Sequence, residues 1–313
     1  MSASPREKVE KARRRPARAG FTLAELLVTI TIIAILAGLV WAGVARARES
    51  ARIAKTKSTI AKINQIIMER YDSYRTRRVP INTRGLPPPA AAEFRLWAIR
   101  CLMAWEMPDR LSDVAYPPNE NDPLTYSITV NGQPVTREIY RTPLARAYFR
   151  QFQLRGQPSG DQSPAEMLYL VVTLGTPGSR EMFSDSEIGD TDGDGYLEFI
   201  DGWGRPIYFI RCAPGFTESD IQLHPLAPIE EKNRDHDPFD PMRVDPGAWR
   251  LVPLIYSAGP DGVFGLDLQG NLRYFVNWKQ WYMHPVGAPV DSSNPEFMRH
   301  EDNIHNHAVE SLE

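Results

Sequence analysis

Few cysteines, little net charge and no recognisable catalytic constellation mark this sequence. Only Cys101 and Cys212 occur in 313 residues, and they are not spaced as metal ligands. In an oxidising compartment they could pair; otherwise they are two thiols among apolar neighbours, and the sequence leaves both open. The formal net charge of −3 gives no whole-chain case for nucleic-acid binding. Of six histidines, His305 and His307 lie close together, and His224, His236, His284 and His300 are scattered. None stands at a metal spacing with Cys or Glu, so all six read as surface residues. No Ser/His/Asp elbow, phosphate loop or paired-carboxylate cleft is recognisable, and nothing argues for an enzyme.

One stretch lacks charge altogether. Leu26 to Ala45 is 20 residues interrupted only by the hydroxyls of Thr29 and Thr31. At roughly 1.5 Å per residue it spans about 30 Å, the thickness of a bilayer's hydrocarbon core. Glu25 stands at its mouth. Residues 1–20 hold Arg6, Lys8, Lys11, Arg13, Arg14, Arg15 and Arg18 against Glu7 and Glu10, a positive-inside flank. Arg46, Arg48, Arg52, Lys55, Lys57 and Lys62 make the far flank nearly as basic, so charge counting barely orients the segment. The run is too long for the apolar core of a secretory signal peptide, about 7–15 residues. Cleavage after Ala47 would nevertheless release a secreted enzyme. A plain signal-anchor helix accounts for the length and leaves Glu25 unexplained.

The segment GFTLAELLVTITIIAILAG resembles the N-terminus of type IV prepilins and of the pseudopilins of type II secretion systems. Gly20, Phe21 and Glu25 occupy the family's cleavage position, first mature residue and fifth mature residue. The resemblance implies removal of residues 1–20 by a prepilin peptidase, N-methylation of Phe21, and assembly with other pilin or pseudopilin subunits through Glu25. A glycine at the cleavage point lets a peptidase approach its carbonyl closely. Glu25 is costly in lipid, by about 2.5–3.5 kcal/mol at a helix centre and less near an edge. A neighbouring subunit's Phe21 ammonium would neutralise it and set the register of helix on helix. Ala34, Ala37, Gly38, Ala42 and Gly43 allow close helix contact. The implied location is a single pass through the inner membrane, with a cytoplasmic N-terminus and a periplasmic head.

Beyond the membrane half, residues 21–45, the helix is expected to continue to about Tyr74. Ile53, Ile60, Ile63, Ile67, Tyr71 and Tyr74 form one apolar stripe over residues 46–75, suited to packing on the chain's own head. Residues 76–180 read as an insertion. It holds a Pro-rich exit loop, helices over 90–107, 138–152 and 164–174, and a hairpin over 126–135 around Asn131-Gly132. Its purpose is not legible.

Residues 181–313 carry the acidic and turn motifs. Asp190 to Asp201 reads DTDGDGYLEFID, the spacing of a 12-residue calcium loop. Asp190, Asp192, Asp194, the Tyr196 carbonyl, Glu198 and Asp201 are the candidate ligands, with Gly195 at the sharp turn. Asp in place of Glu at the twelfth place implies modest affinity. DGWGRPIYFI from Asp201, LIYSAGPDGVFG from Leu254 and EDNIHNH from Glu301 resemble, in order, the C-terminal half of the major pseudopilin. That resemblance implies a second calcium site at Asp261 and Asp302, with Glu301 less firmly placed; Asn303 stands where the family has an acid. Structural Asp residues in glycine-rich turns are the alternative. The expected fold is α+β and type IV pilin-like: a long N-terminal helix packed on a head with a small antiparallel sheet and inserted helices. The expected role is a calcium-stabilised pseudopilus subunit. Alternatives are a minor type IV pilin and a non-polymerising, membrane-tethered, calcium-dependent binding module.

Overall fold

Thr22 and Glu25 start the first helix. The Glu25 N–H donates to Thr22 Oγ1 at 3.2 Å, and Glu25 Oε2 accepts from the Thr22 N–H at 2.9 Å and its hydroxyl at 2.8 Å. This reciprocal capping box satisfies amides that the first turn leaves without helical partners. The computed structural model describes residues 22–156, 162–268, 278–279, 282, 285–291, 293–296 and 299–308. The leader and the Gly20–Phe21 cleavage point therefore lie outside the described residues, as does His284.

Helix α1 runs Leu23–Ser73. The chain divides into two units, Met1–Arg48 and Glu49–Glu313. In the first, the apolar side chains of α1 are exposed, with Ile33 63% and Trp41 76% accessible. Among the described residues this is the one helix long and apolar enough to cross a membrane.

The second unit contains the rest of α1 together with everything placed in residues 76–180 and 181–313. The stripe on α1 is buried as its spacing requires: Ile60, Ile63, Ile67, Tyr71 and Tyr74 are almost inaccessible, with Ile53 half-buried at the edge. Each such side chain contributes about 1.5–3 kcal/mol by leaving water. They meet α2 (Pro88–Glu106), whose Phe94, Trp97 and Leu102 join the same cluster. After the short α3 (Leu111–Ala115), strands β1 (Leu124–Val130) and β2 (Gln133–Ile139) form the expected hairpin, longer than its alternating core suggested. Asn131 and Gly132, with φ of 51° and 78°, make its two-residue turn. The helix expected from Glu138 begins later, as α4 (Pro143–Arg155). Pairing with Leu124 keeps Ile139 in the strand, and Thr142 accepts from the Ala145 N–H at 3.3 Å as the N-cap before Pro143.

Helix α5 (Ser163–Thr173) packs on β4 (Glu198–Phe199) and β5 (Tyr208–Ile210). Strand β4 pairs with β3 (Ile188–Gly189). A short helix, α6 (Ile229–Arg234), precedes β6 (Leu254–Ser257). The three-stranded antiparallel sheet is β5-β6-β7, with β7 at Ile304–His305. The motifs DGWG, SAGPDG and EDNIHNH thus build one sheet and its turns.

Buried polar groups fix α1 to this framework. Glu187 accepts from Thr59 Oγ1 at 2.7 Å and Lys62 Nζ at 2.9 Å, and Thr56 Oγ1 accepts from the Gly202 N–H at 2.9 Å. On α2, Arg100, 1% exposed, bridges Asp237 at 2.8 Å and Asp245 at 2.9 Å and so ties that helix to the C-terminal region.

Candidate functional site

The acidic loop is folded by its own carboxylates. Asp190 Oδ1 accepts from the Gly193 N–H at 2.7 Å, and Oδ2 from the Gly195 N–H at 3.0 Å. Asp192 Oδ1 takes the Asp194 N–H at 3.3 Å, and Asp194 Oδ1 takes the Tyr196 N–H at 2.8 Å. Gly195 has a φ of 91°, a left-handed conformation a side chain would strain. The chain then enters β4, whose Glu198 is fully buried and accepts from the Thr191 N–H at 2.9 Å through Oε2. Its Oε1 is buried without a hydrogen-bond partner.

Glu166, on the first turn of α5, faces this loop. It is 2% exposed, and both its carboxylate oxygens are buried and unpartnered. Carboxylate oxygens of Glu166, Asp192, Asp194 and Glu198 all lie within 4.8 Å of one another. Burial, reinforced by Asp194, Asp192, Glu198 and Asp190, pushes the Glu166 carboxyl up to about 8. Burial likewise raises Glu198 to about 7 against the opposing Thr191 N–H. Such a cluster offers hard oxygen donors.

Glu166 is the residue sequence reasoning missed. It lies 24 positions before Asp190, outside any loop spacing, and an acid in a helix's first turn reads as a partner of the helix dipole. Helical spacing aligns Glu166 with Tyr169, Leu170 and Thr173, a half-buried face, so no local pattern marked it as inward. Asp201, placed by the 12-residue spacing as the closing ligand, is engaged elsewhere. Its Oδ1 accepts from the Trp203 and Arg205 N–H groups at 2.8 and 2.9 Å, and its Oδ2 from Ser257 Oγ at 2.7 Å. Strand β4 carries the chain away before the twelfth position, where an EF-hand would continue as helix. The Tyr196 ring stacks on Phe152 at 5.5 Å, and its hydroxyl donates to Gly156 O at 2.5 Å.

Asp261 and Asp302 are brought together, with Asp302 Oδ2 accepting from the Asp261 N–H at 3.1 Å. A cationic side chain already faces Asp261: Arg299 Nε donates to its Oδ2 at 2.7 Å. Asn303 donates from Nδ2 to Phe264 O at 2.8 Å, which keeps the turn against the tail.

The histidines correct the surface reading. His224 is exposed, but His300, His305 and His307 are buried, and His236 contacts Asp240 at 3.4 Å. Strand β7 and the turn after it carry His305 and His307 into the head, a placement that two-residue spacing near a terminus could not disclose. Cys101 and Cys212 are both buried and free, and burial raises both thiols.

Residues 15–41 match the family model described as Prokaryotic N-terminal methylation motif. The chain is type IV prepilin-like at its N-terminus. The matched segment takes in Gly20, Phe21 and Glu25 and most of the apolar half of α1. An apolar helix in this place fits a single-pass membrane anchor. No curated protein matches the chain, and no solved structure does.

Proposed function

We propose that the chain is a structural subunit of a type II secretion pseudopilus, cleaved after Gly20 by a prepilin peptidase, methylated on Phe21 and assembled through α1. The observation that carries this is the methylation motif set directly on a helix whose apolar half is solvent-exposed in the isolated chain. That surface needs lipid before assembly and other helices after it. Glu25 is suited to the transition. In the free subunit its carboxylate is held by Thr22, which lessens the cost of a charge near the membrane edge. An incoming Phe21 ammonium offers a stronger, charge-assisted partner for the same oxygens.

The pseudopilin reading is favoured over a minor type IV pilin by the convergence of the three C-terminal motifs. Asp201 of the DGWG turn holds Ser257 of the SAGPDG turn, and Asp302 of the tail holds Asp261. A tethered, non-polymerising binding module is the reading from another class. Substituting Gly20→Asp separates it. In a host with the peptidase, the variant is expected to keep residues 1–20, to insert in the membrane and to be absent from sheared filaments. A variant with an unchanged mature N-terminus and full function would remove the prepilin reading.

A further inference from the structure

A carboxylate buried beside three others, with both oxygens unpartnered, is among the least favourable arrangements a fold can carry without a cation. Glu166 is in that position. It is also supplied by a different part of the chain from the loop it faces, so the cluster is a meeting point of two segments, α5 and residues 190–199. We propose that Glu166, Asp192, Asp194 and Glu198 bind one calcium ion that joins α5 to the acidic loop and β4.

The donor set selects the ion. Four carboxylates with no His or Cys among them suit a hard cation and give a thiolate- or imidazole-seeking metal nothing. Calcium takes oxygens at about 2.3–2.6 Å, so ligands on opposite sides of it stand about 4.6–5.2 Å apart. Oxygens already within 4.8 Å of one another can close on calcium with little movement. Magnesium binds at about 2.0–2.1 Å, demands a tighter octahedron and keeps much of its water, so it fits four converging carboxylates less well.

The remaining acids of the loop have separate tasks. Asp190 spends its oxygens on the Gly193 and Gly195 amides and so shapes the backbone that presents Asp192 and Asp194. Asp201 closes the next turn. The ligand set is thus the third, fifth and ninth positions of the loop with a fourth acid from a helix, in place of a self-contained 12-residue loop. The ion would draw its ligands from both segments, which makes it a clamp between α5 and the acidic loop with β4.

The inference stands on the head alone and is independent of the filament reading. Its test uses the full chain in detergent micelles, stripped of metal with a chelator, followed by calorimetric titration and thermal melting with calcium chloride or magnesium chloride. Calcium is expected to bind and raise Tm, with magnesium at equal concentration giving a smaller rise. Glu166→Gln is expected to weaken calcium binding by roughly tenfold or more. Without metal, at an alkaline pH where all four carboxyls are ionised, the same variant should melt at or above the wild-type temperature, because it removes a buried repelling charge. That reversal of order between metal-free and calcium-loaded protein is not given by a merely structural glutamate. Asp201→Asn, whatever its own stability, should retain the calcium-induced rise. Absence of any calcium-dependent heat or Tm shift in the wild type overturns the proposal. So does Glu166→Gln binding calcium with wild-type affinity, or Asp201→Asn abolishing binding while Glu166→Gln does not.

Discussion

At the scale of residues, His307 shows how burial turns a side chain with no motif into a stability determinant. Its Nε2–H faces the Pro253 carbonyl at 3.1 Å, and Nδ1 faces Ser219 Oγ at 2.9 Å, an arrangement that suits the neutral ring. Burial lowers both His305 and His307 to about 4, with Asp220 only partly opposing it at His305. In the unfolded chain each titrates near 6.5. Above pH 6.5 both are neutral in either state, and their contribution to stability is complete. As pH falls from about 6.5 to about 4 the unfolded chain takes up protons the folded one refuses, and stability is lost. Chemical denaturation at steps between pH 7.5 and 4.5 should show a decline on the order of 2–4 kcal/mol attributable to the pair. His307→Asn should flatten that slope even where it lowers stability throughout; an equal slope in both proteins would contradict the assignment. The sequence offered no hint of this, because nothing in HNH near a terminus says that the segment returns as a sheet strand.

At the scale of elements, the long helix and its packing were legible and the contacts that lock it were not. The stripe Ile60, Ile63, Ile67, Tyr71 was enough to place one face of α1 against the head, since helical periodicity is a strong local signal. The DGWG turn was legible only as a motif, and its physical reason lies at Gly202. A Cβ there would stand 2.3 Å from the Arg52 carbonyl oxygen of α1, a backbone atom with no freedom to move. The glycine lets its amide reach Thr56 Oγ1. Gly202→Ala is therefore expected to cost about 1–3 kcal/mol by forcing the turn off the helix. Thermal melting of the purified chain checks it, and an unchanged Tm would contradict the close contact. The acidic loop illustrates the opposite case. Its spacing was visible and its partner was not, because Glu166 belongs to a helix whose relation to the loop is created only by packing on β4 and β5.

At the scale of the whole molecule, the chain carries a prepilin-like N-terminal segment and a head of helices and small antiparallel sheets. The N-terminal segment could be read because its motif sets Gly20, Phe21 and Glu25 in fixed register with an apolar run. The head resists such reading because its constraints are distributed. Buried pairs such as Arg100 with Asp237 and Asp245 join residues more than 130 positions apart, and no short pattern records them. The inserted region, opaque as sequence, supplies α2 to the main core and α5 to the four-carboxylate cluster, so it is built into the head.

The central claim concerns what happens at Gly20, and the intact mass and N-terminal sequence of the chain recovered from membranes of a host with prepilin peptidase test it most directly. The expected product begins at Phe21 and carries a methyl group on its α-amino nitrogen, with Glu25 as its fifth residue. A product that retains Met1, or one that begins after Ala47, would contradict the account.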